Sequence, residues 1–424
     1  MSTSKRILPY IIIATISIAI IVAAFFLVPM MFNNTPMSNG DSKNPAVDQG
    51  DSAFINSIGG VSETYMGAVS TYTYPSMESA ASAYVNDELV GNSHAMIVGC
   101  ETLEEFSADT VDIAIPSEFL DGAESVQKVN VTYSVHNAST YSAMANSTGE
   151  VVQQNPQMTV IVYVIKYGPD FRYFTPMPET GKTISKSYYD SVFDSDRYNN
   201  CTMETEMSAE VNVDMTYAGQ SIKMTMTMSM KQTVKYAGNR IYLYQESNTN
   251  TNMYYGGESE TDSQNTVIYA YIEQDDYGYW TCYYKTNEND PWQEGYLWNI
   301  GFSNIDELKP FHDQYLDYTY FSKTSYGFAL EDENAKQYFL QAFDQLSGSM
   351  QGIDFGADGI DMVARYYVQE GVLSGTQTEA TINAEVSESG QTANMTVVVD
   401  STTTCTEYGS TVVELPGEIL DMLK

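Results

Sequence analysis

The residues with the clearest chemical potential are the methionines of the run Met224 to Met230, which reads Met-Thr-Met-Thr-Met-Ser-Met. Strict alternation predicts a β-strand with the thioethers on one face and the hydroxyls on the other. Methionine is flexible and polarizable, and it is common on surfaces that accept varied apolar partners. The run therefore predicts a face that is protein core, the wall of a cavity for apolar ligands, or a site for a soft metal ion.

Clustered thioethers suit Cu(I), because soft ligands select soft metals. Met203, Met207 and Met215 on the preceding predicted strand enlarge the cluster, but no histidine or cysteine lies inside it. Sulfur atoms on one flat strand do not converge without help from neighbouring strands. We therefore predict no metal site and no cofactor, and favour core packing or a cavity wall. A cavity would be lined by Met215, Met224, Met226, Met228 and Met230, with Phe339 and Phe343 from a later helix.

Catalytic residues form no recognisable motif in this sequence. His94, His136 and His312 are scattered, and neither a Gly-x-Ser-x-Gly nor a His-Glu-x-x-His motif occurs. We therefore predict that the protein is not an enzyme. The net charge of −36 and the pI near 4.1 argue against nucleic-acid partners, since the phosphate backbone is also negative.

An apolar segment from Ile11 to Met31 follows Lys5 and Arg6. A helix needs about 20 such residues to cross a bilayer. Basic residues on the short N-terminal side predict that this end stays in the cytoplasm. We expect a single-pass protein of the cell membrane, with a cytoplasmic tip (1–10), a transmembrane helix (11–31) and a polar linker (32–59). All later residues would lie outside the cytoplasm.

That location bears on the cysteines and on the asparagines of Asn-X-Ser/Thr sequences. Four cysteines are an even number in a compartment that permits disulfides, and three pairings or buried thiols all stay open. These disulfide candidates are Cys100, Cys201, Cys282 and Cys405. Glycosylation candidates would lie in surface loops or at strand ends. They are Asn33, Asn130, Asn137, Asn146, Asn200 and Asn394.

Two domains are expected beyond the linker, and together they predict an α+β fold. Residues 60–195 read as a small mixed domain, with a helix capped by Ser76 and ending near Val90, followed by several strands. Residues 196–424 are almost uninterrupted strands, separated by turn signals such as Ala237-Gly238-Asn239. Amphipathic helices are predicted at 304–318 and 333–346. This order suggests a curved antiparallel sheet whose concave face the helices partly fill.

Several local features of the second domain occur together in one known superfamily. They are the strand pair flanking Ala218-Gly219-Gln220, the Trp280 and Trp292 region, the hairpin Tyr366–Thr378 and the closing segment Tyr408–Glu418. Over roughly residues 200–424 this arrangement resembles the LolA/LppX-type lipoprotein-carrier superfamily. The resemblance implies a half-barrel of antiparallel strands, closed by helices, around an apolar cavity for lipid chains. A membrane helix in place of a lipidated cysteine, and the additional domain, fit a tethered binder better than a soluble shuttle.

The sequence thus predicts a membrane-anchored extracytoplasmic protein that binds a hydrophobic or lipid ligand in a half-barrel cavity. Its partners would be the membrane, through the N-terminal helix, the lipid, and a cell-envelope protein. The alternative is a structural or adhesive cell-surface protein in which the same fold is filled by its own side chains. An enzyme acting on envelope polymers and a Cu(I) binder rank below these two.

Overall fold

A computed structural model describes thirteen segments of the chain. They are residues 67–90, 94–108, 115–136, 157–193, 196–217, 220–255, 257–275, 277–302, 305–308, 318–346, 353–355, 359–388 and 391–422. The predicted cytoplasmic tip, transmembrane helix and linker lie outside these residues, as do Asn33, Asn137, Asn146 and His312. Within the described segments, no helix has the length and apolar character needed to cross a membrane.

The protein is mostly β, with two antiparallel sheets and few helices, so the predicted α+β class was correct only in part. The first sheet has the order β1-β5-β4-β3-β2. Its strands are β1 (Ala68–Val69), β2 (His94–Ser107), β3 (Ser125–His136), β4 (Met158–Tyr167) and β5 (Asp170–Thr175). Long runs of β-branched and aromatic residues produce strands at the expense of helix, because these side chains fit a pleated surface best.

Helix α1 (Met77–Tyr84) packs on the first sheet and continues into a π-helical turn (Val85–Leu89). The Ser76 hydroxyl accepts a hydrogen bond from the backbone N–H of Ser79 at 3.2 Å, which caps the helix as the sequence predicted. Ala80 is fully buried against the sheet. The predicted helix from Ser76 to about Val90 is therefore confirmed.

The second sheet is built from much longer strands and is not closed into a barrel. Eleven strands follow the order β11-β10-β9-β8-β7-β6-β17-β16-β15-β13-β12, and β14 pairs with β16 beside this series. Their bounds are β6 (Asn200–Tyr217), β7 (Gln220–Ala237), β8 (Arg240–Tyr255), β9 (Glu258–Gln274), β10 (Trp280–Lys285), β11 (Gln293–Gly295), β12 (Ser322–Lys323), β13 (Gly327–Leu330), β14 (Ile353–Asp354), β15 (Ile360–Gln369), β16 (Val372–Glu388) and β17 (Gln391–Thr406).

The two faces of the second sheet differ sharply in polarity. The inner face carries the odd-numbered residues of β6, β8 and β17 and the even-numbered residues of β7, β9, β15 and β16. We call the opposite face the outer face. Inner-face residues such as Val211 and Val397 are buried. Outer-face residues form cross-strand ion pairs, for example Lys231 with Glu206 at 2.7 Å. Period-2 alternation in the sequence therefore orients β6, β7 and β17.

Two helices cover part of the inner face, α2 (Lys186–Phe193) and α3 (Asp332–Leu346). Tyr188 of α2 and Phe339 of α3 lie in the same apolar cluster as the inner-face residues of β6 and β15–β17. The predicted helix at 333–346 is thus confirmed. At 304–318 the described residues form only short 3₁₀ segments, Ile305–Leu308 and Tyr318–Tyr320. Helix α2 packs on the second sheet, although the boundary predicted at 195 grouped it with the first domain.

The first sheet is joined to α2 through a buried carboxylate. Glu88, in the π-helical turn, accepts hydrogen bonds from the backbone N–H and the hydroxyl of Ser187, each at 2.8 Å. Tyr173 of β5 donates a third bond at 3.3 Å. Burial nevertheless raises the pKa of Glu88, because it penalises the charged form more than these bonds stabilise it.

The closing segment covers part of the outer face. Val413, and Ile419 of α4 (Gly417–Met422), pack with Tyr271, Tyr283 and Trp292. One end of the sheet is therefore covered on its outer face by the chain terminus.

Candidate ligand-binding face

The methionine run forms the inner face of β7, as its alternation predicted. Neighbouring strand β6 supplies a direct partner for each methionine: Met207 lies opposite Met230, Ala209 opposite Met228, Val211 opposite Met226 and Val213 opposite Met224. On the other side, Met253 of β8 lies opposite Met224. Register therefore brings together thioethers that are far apart in the sequence.

Burial changes along this row of methionines. Met224 and Met226 are each 4% exposed and Met215 is 6% exposed, all within the apolar cluster under α2 and α3. Met228 and Met230 are only half-buried, at the margin of that cluster. Phe339 is 1% exposed and lies in the cluster, whereas the side chain of Phe343 lies outside the described residues. Of the predicted cavity residues, three methionines and Phe339 are packed as core.

The two helices pack toward one side of this sheet. Helix α3 contacts β15 and α2 contacts β16, on the far side of β6 from β8. We call the inner face of β15, β16, β17 and β6, together with Met224 and Met226, the covered region. We call Met228, Met230 and their β8 and β9 neighbours the open region, since these residues are half-buried or exposed. Those neighbours are Ser247 and Thr249, which are half-buried, and Gln264 and Thr266, which are exposed.

A line of polar residues crosses the inner face beside the open region. Thr403, Thr205, Gln232 and Gln245 are successive cross-strand partners on β17, β6, β7 and β8. The Thr205 and Thr403 hydroxyls are hydrogen-bonded at 3.0 Å, and the Gln232 amide N–H donates to the Gln245 side-chain oxygen at 3.2 Å. We call these four half-buried residues the polar row. On β7 and β8 it separates the methionines from a second apolar cluster that includes Val234.

The inner face around this row carries no charge. Its positions on β6, β7, β8 and β17 include no Asp, Glu, Lys or Arg. Burial raises the pKa of Cys201 to about 12 and raises the pKa of Tyr236 and Cys405, so these groups are neutral at physiological pH. The arrangement can bury apolar groups and exchange hydrogen bonds with neutral ones.

The outer face of the same strands contains an open pocket of about 430 Å³. Most of its lining is polar and includes Glu206, Lys231, Glu246 and Asp400, with contributions from Met207 and Met230. Burial, and then the neighbouring charge of Glu379, raise the pKa of Asp400. This polar depression differs in chemistry from the apolar cavity that the sequence predicted.

All four cysteines are free thiols in the structure. Cys201 and Cys405 lie on adjacent strands of the second sheet, where Cys405 is opposite Met203. Cys282 is buried on β10, and Cys100 is half-buried in the first sheet.

The glycosylation candidates that the structure describes differ in accessibility. Asn394 is exposed on the outer face of β17, whereas Asn130 is half-buried within β3. Asn200 begins β6, and its side-chain N–H donates to the carbonyl oxygen of Thr411 at 3.3 Å. The nitrogen that would carry a glycan at Asn200 is therefore engaged in the fold.

Two of the three histidines are closer together than the sequence suggested. His94 and His136 are cross-strand partners on β2 and β3, so the description of them as scattered was wrong at the level of the backbone. Among the described residues, no group of three His, Cys, Asp or Glu side chains is arranged to hold a metal ion.

The polar row is the feature that sequence reasoning missed. The one sequence feature that pointed to the polar row is Gln232, which interrupts the apolar inner-face pattern of β7. Its alignment with Gln245, Thr205 and Thr403 depends on the register of three strand pairs.

Comparison with known proteins adds little. No protein-family model matches the chain, and no curated protein sequence matches it. Among solved structures, a DUF1329 family protein from Desulfovibrio piger is a weak neighbour with a TM-score of 0.16 and 11% sequence identity. The alignment covers 50% of this chain and 90% of that chain. A likeness of this size carries no argument, and the functional interpretation therefore depends on the geometry of the inner face.

Proposed function

We propose that this protein is a membrane-anchored, extracytoplasmic binder of a hydrophobic or lipid ligand, and that the open region is its binding surface. The observation that carries the proposal is the burial gradient on one face of one strand, from Met226 at 4% exposed to the half-buried Met228 and Met230. The half-buried methionines, next to the uncharged Ser247 and Thr249, form an apolar surface that the acyl chain of a lipid can cover.

Binding works by removing apolar area from water. Each buried CH₂ group of an acyl chain contributes roughly 0.8 kcal/mol. Methionine side chains adjust to chains of different shape, so selectivity along the apolar part of the ligand is loose. No bond is made or broken, and no catalytic role is proposed.

Anchoring follows from the apolar segment 11–31 and the basic residues Lys5 and Arg6 before it. A single-pass helix in this orientation holds the second sheet on the outer side of the cell membrane. The resemblance of residues 200–424 to lipid-carrier half-barrels supports the same function, with the inner face as the concave one. A cell-envelope protein that delivers or receives the lipid would be the second partner.

Photolabelling of the full chain tests this function. The probe is the neutral methyl ester of a palmitic acid that carries a diazirine in its acyl chain, and labelled peptides are identified by mass spectrometry. The paired variants are Met228→Gln and Met230→Gln, which keep side-chain length but add a polar amide. The matched controls are Thr227→Gln and Ser229→Gln, on the same strand but on the outer face.

Labelling in β7 that falls at least severalfold in the two methionine variants and persists in both controls supports the proposal. Absence of labelling on the inner face of the wild type would overturn it. Labelling that survives in folded Met228→Gln and Met230→Gln proteins would also overturn it. Circular dichroism and thermal melting establish that each variant is folded.

A structural or adhesive role is the second candidate, and one observation favours it. Met215, Met224, Met226 and Phe339 are packed against the protein's own side chains, so the covered region is already filled. A wild-type protein that takes up no acyl probe, with Met228 and Met230 shielded by other parts of the chain, would establish this second candidate.

A further inference from the structure

We infer that the polar row binds the uncharged polar group of the ligand, so that the ligand class is a neutral amphipathic lipid, such as an acylglycerol. This inference rests on the proposed function and specifies the ligand of the same site. The hydrogen-bonding groups would be the side-chain amides of Gln232 and Gln245, at one end of the open region.

Position is the first argument. Met230 and Gln232 are consecutive inner-face residues of β7, and the strand rises about 3.3 Å per residue, so they are separated by about 7 Å. The end of an acyl chain that lies over Met228 and Met230 would therefore be next to the polar row. On β8 the same order holds, because Thr249 and Ser247 precede Gln245 toward that row.

Hydrogen-bonding capacity is the second argument. A glutamine side chain has two donor hydrogens and an acceptor oxygen. The Gln232–Gln245 pair makes one mutual bond, at 3.2 Å, which leaves the Gln232 oxygen and the Gln245 amino group without a protein partner among the described residues. Both residues are half-buried, so a ligand that covers them must replace bonds to water. Hydroxyl and ester groups have the donors and acceptors to do so.

Charge is the third argument, and it selects a neutral ligand. An anionic head group would lose its hydration against this face without meeting a cation, because inner-face positions of β6, β7, β8 and β17 include no Lys or Arg. Lys231 and Lys235 belong to the outer face of β7. The nearest acids along the inner face, Asp262 and Glu260 of β9, would repel an anion.

Two photoreactive probes that share one palmitoyl chain with a diazirine test the inference. One is the glycerol monoester, which is neutral, and the other is the free fatty acid, which is anionic at neutral pH. Each probe competes with its unlabelled counterpart for binding to the full chain. The measured quantity is the ratio of the affinity for the monoester to the affinity for the fatty acid. We expect the monoester to bind about tenfold more tightly, as two additional hydrogen bonds would give.

The variants Gln232→Leu and Gln245→Leu remove the amides while keeping similar size. Each should weaken the monoester by roughly two- to tenfold, the value of one hydrogen bond, and leave the fatty acid unchanged. Gln220→Leu is the matched control, since Gln220 is an exposed inner-face glutamine of β7 that lies outside both the open region and the polar row. It should leave the affinity ratio as it is in the wild type.

The outcomes separate the two proposals. Equal affinity for both probes, or tighter binding of the fatty acid, would overturn this inference and leave the lipid-binding function standing. Variants that weaken both probes equally would also overturn it, because the amides would then act only on the fold. Binding of neither probe would remove the proposed function and this inference with it.

Discussion

The covered and open regions share one sheet face, one strand and one residue type, yet they differ in burial. Met224 and Met226 are buried in the apolar cluster that α2 and α3 join, whereas Met228 and Met230 are half-buried at its margin. The role of a methionine in this strand therefore depends on what packs on it. An alternating pattern orients a side chain, but the covering element decides whether it becomes core or an accessible surface.

The open region also differs in its neighbours. On β8 the positions opposite Met226, Met228 and Met230 are Thr251, Thr249 and Ser247, whereas on β6 the corresponding positions are Val211, Ala209 and Met207. The apolar surface therefore ends at β7, and the face becomes polar toward β9. A ligand at this boundary contacts thioethers on one side and hydroxyls on the other.

The largest expected change in the free energy of unfolding is at Phe339, in the covered region. This ring is 1% exposed and packs edge-on against Phe355, with ring centroids 5.5 Å apart. Phe339→Ala should lower the free energy of unfolding by about 3–5 kcal/mol, because it removes a large buried ring and leaves a cavity. Denaturant unfolding followed by fluorescence measures the change. A loss below about 1 kcal/mol would mean that α3 does not form core with the sheet.

A sharper comparison uses two methionines one step apart on the same face. Met226→Ala should destabilise by about 2–3 kcal/mol, since a fully buried methionine is lost, and Met228→Ala by roughly half as much, since that side chain is only half-buried. The two variants are compared in one denaturant series. Equal losses would contradict the division of this face into two regions.

The hydrogen bonds that join the first sheet to α2 through Glu88 should have a smaller, pH-dependent effect on the free energy of unfolding. Because burial raises the pKa of Glu88, the folded state holds its proton more tightly than the unfolded state does. The stabilising contribution of protonation is therefore lost as pH rises from about 4.5, the unfolded value, through the folded pKa. Glu88→Gln lacks this component, so the stability of the wild type should decline relative to the variant over that range. A stability difference that is constant with pH would refute the assignment.

The smallest effect is expected on the outer face of the same strand. Ser229 is exposed between Met228 and Met230. Ser229→Ala should change the free energy of unfolding by no more than about 0.5 kcal/mol, as is usual for exposed positions. A larger loss in thermal or denaturant melts would show that the outer face is packed, and the assignment of faces would then need to be reversed.

Local patterns in the sequence predicted several elements correctly. The Met-Thr alternation correctly predicted that β7 is a strand with its methionines on one face, and Ser76 correctly predicted where α1 begins. The spacing of Ala335 and Phe339 gave the buried side of α3. These features depend on residues within one or two turns or strand steps of each other.

Features that depend on distant residues could not be predicted. The insertion of β17 between β6 and β16 sets the order of the second sheet, and no local pattern encodes it. The packing of α2 on that sheet, and the alignment of Gln232 with Gln245, follow from the same long-range pairing. The predicted cavity therefore included Met215, Met224 and Met226, which are buried in the protein's own apolar cluster.

Methionine oxidation, measured residue by residue with mass spectrometry, distinguishes the open region from the covered region. Dilute peroxide converts accessible thioethers to sulfoxides, and the rate reports exposure. We expect Met228 and Met230 of the full chain to oxidise much faster than Met224 and Met226. We also expect palmitoylglycerol to protect Met228 and Met230. Equal rates at all four positions, or no protection by the lipid, would contradict these expectations.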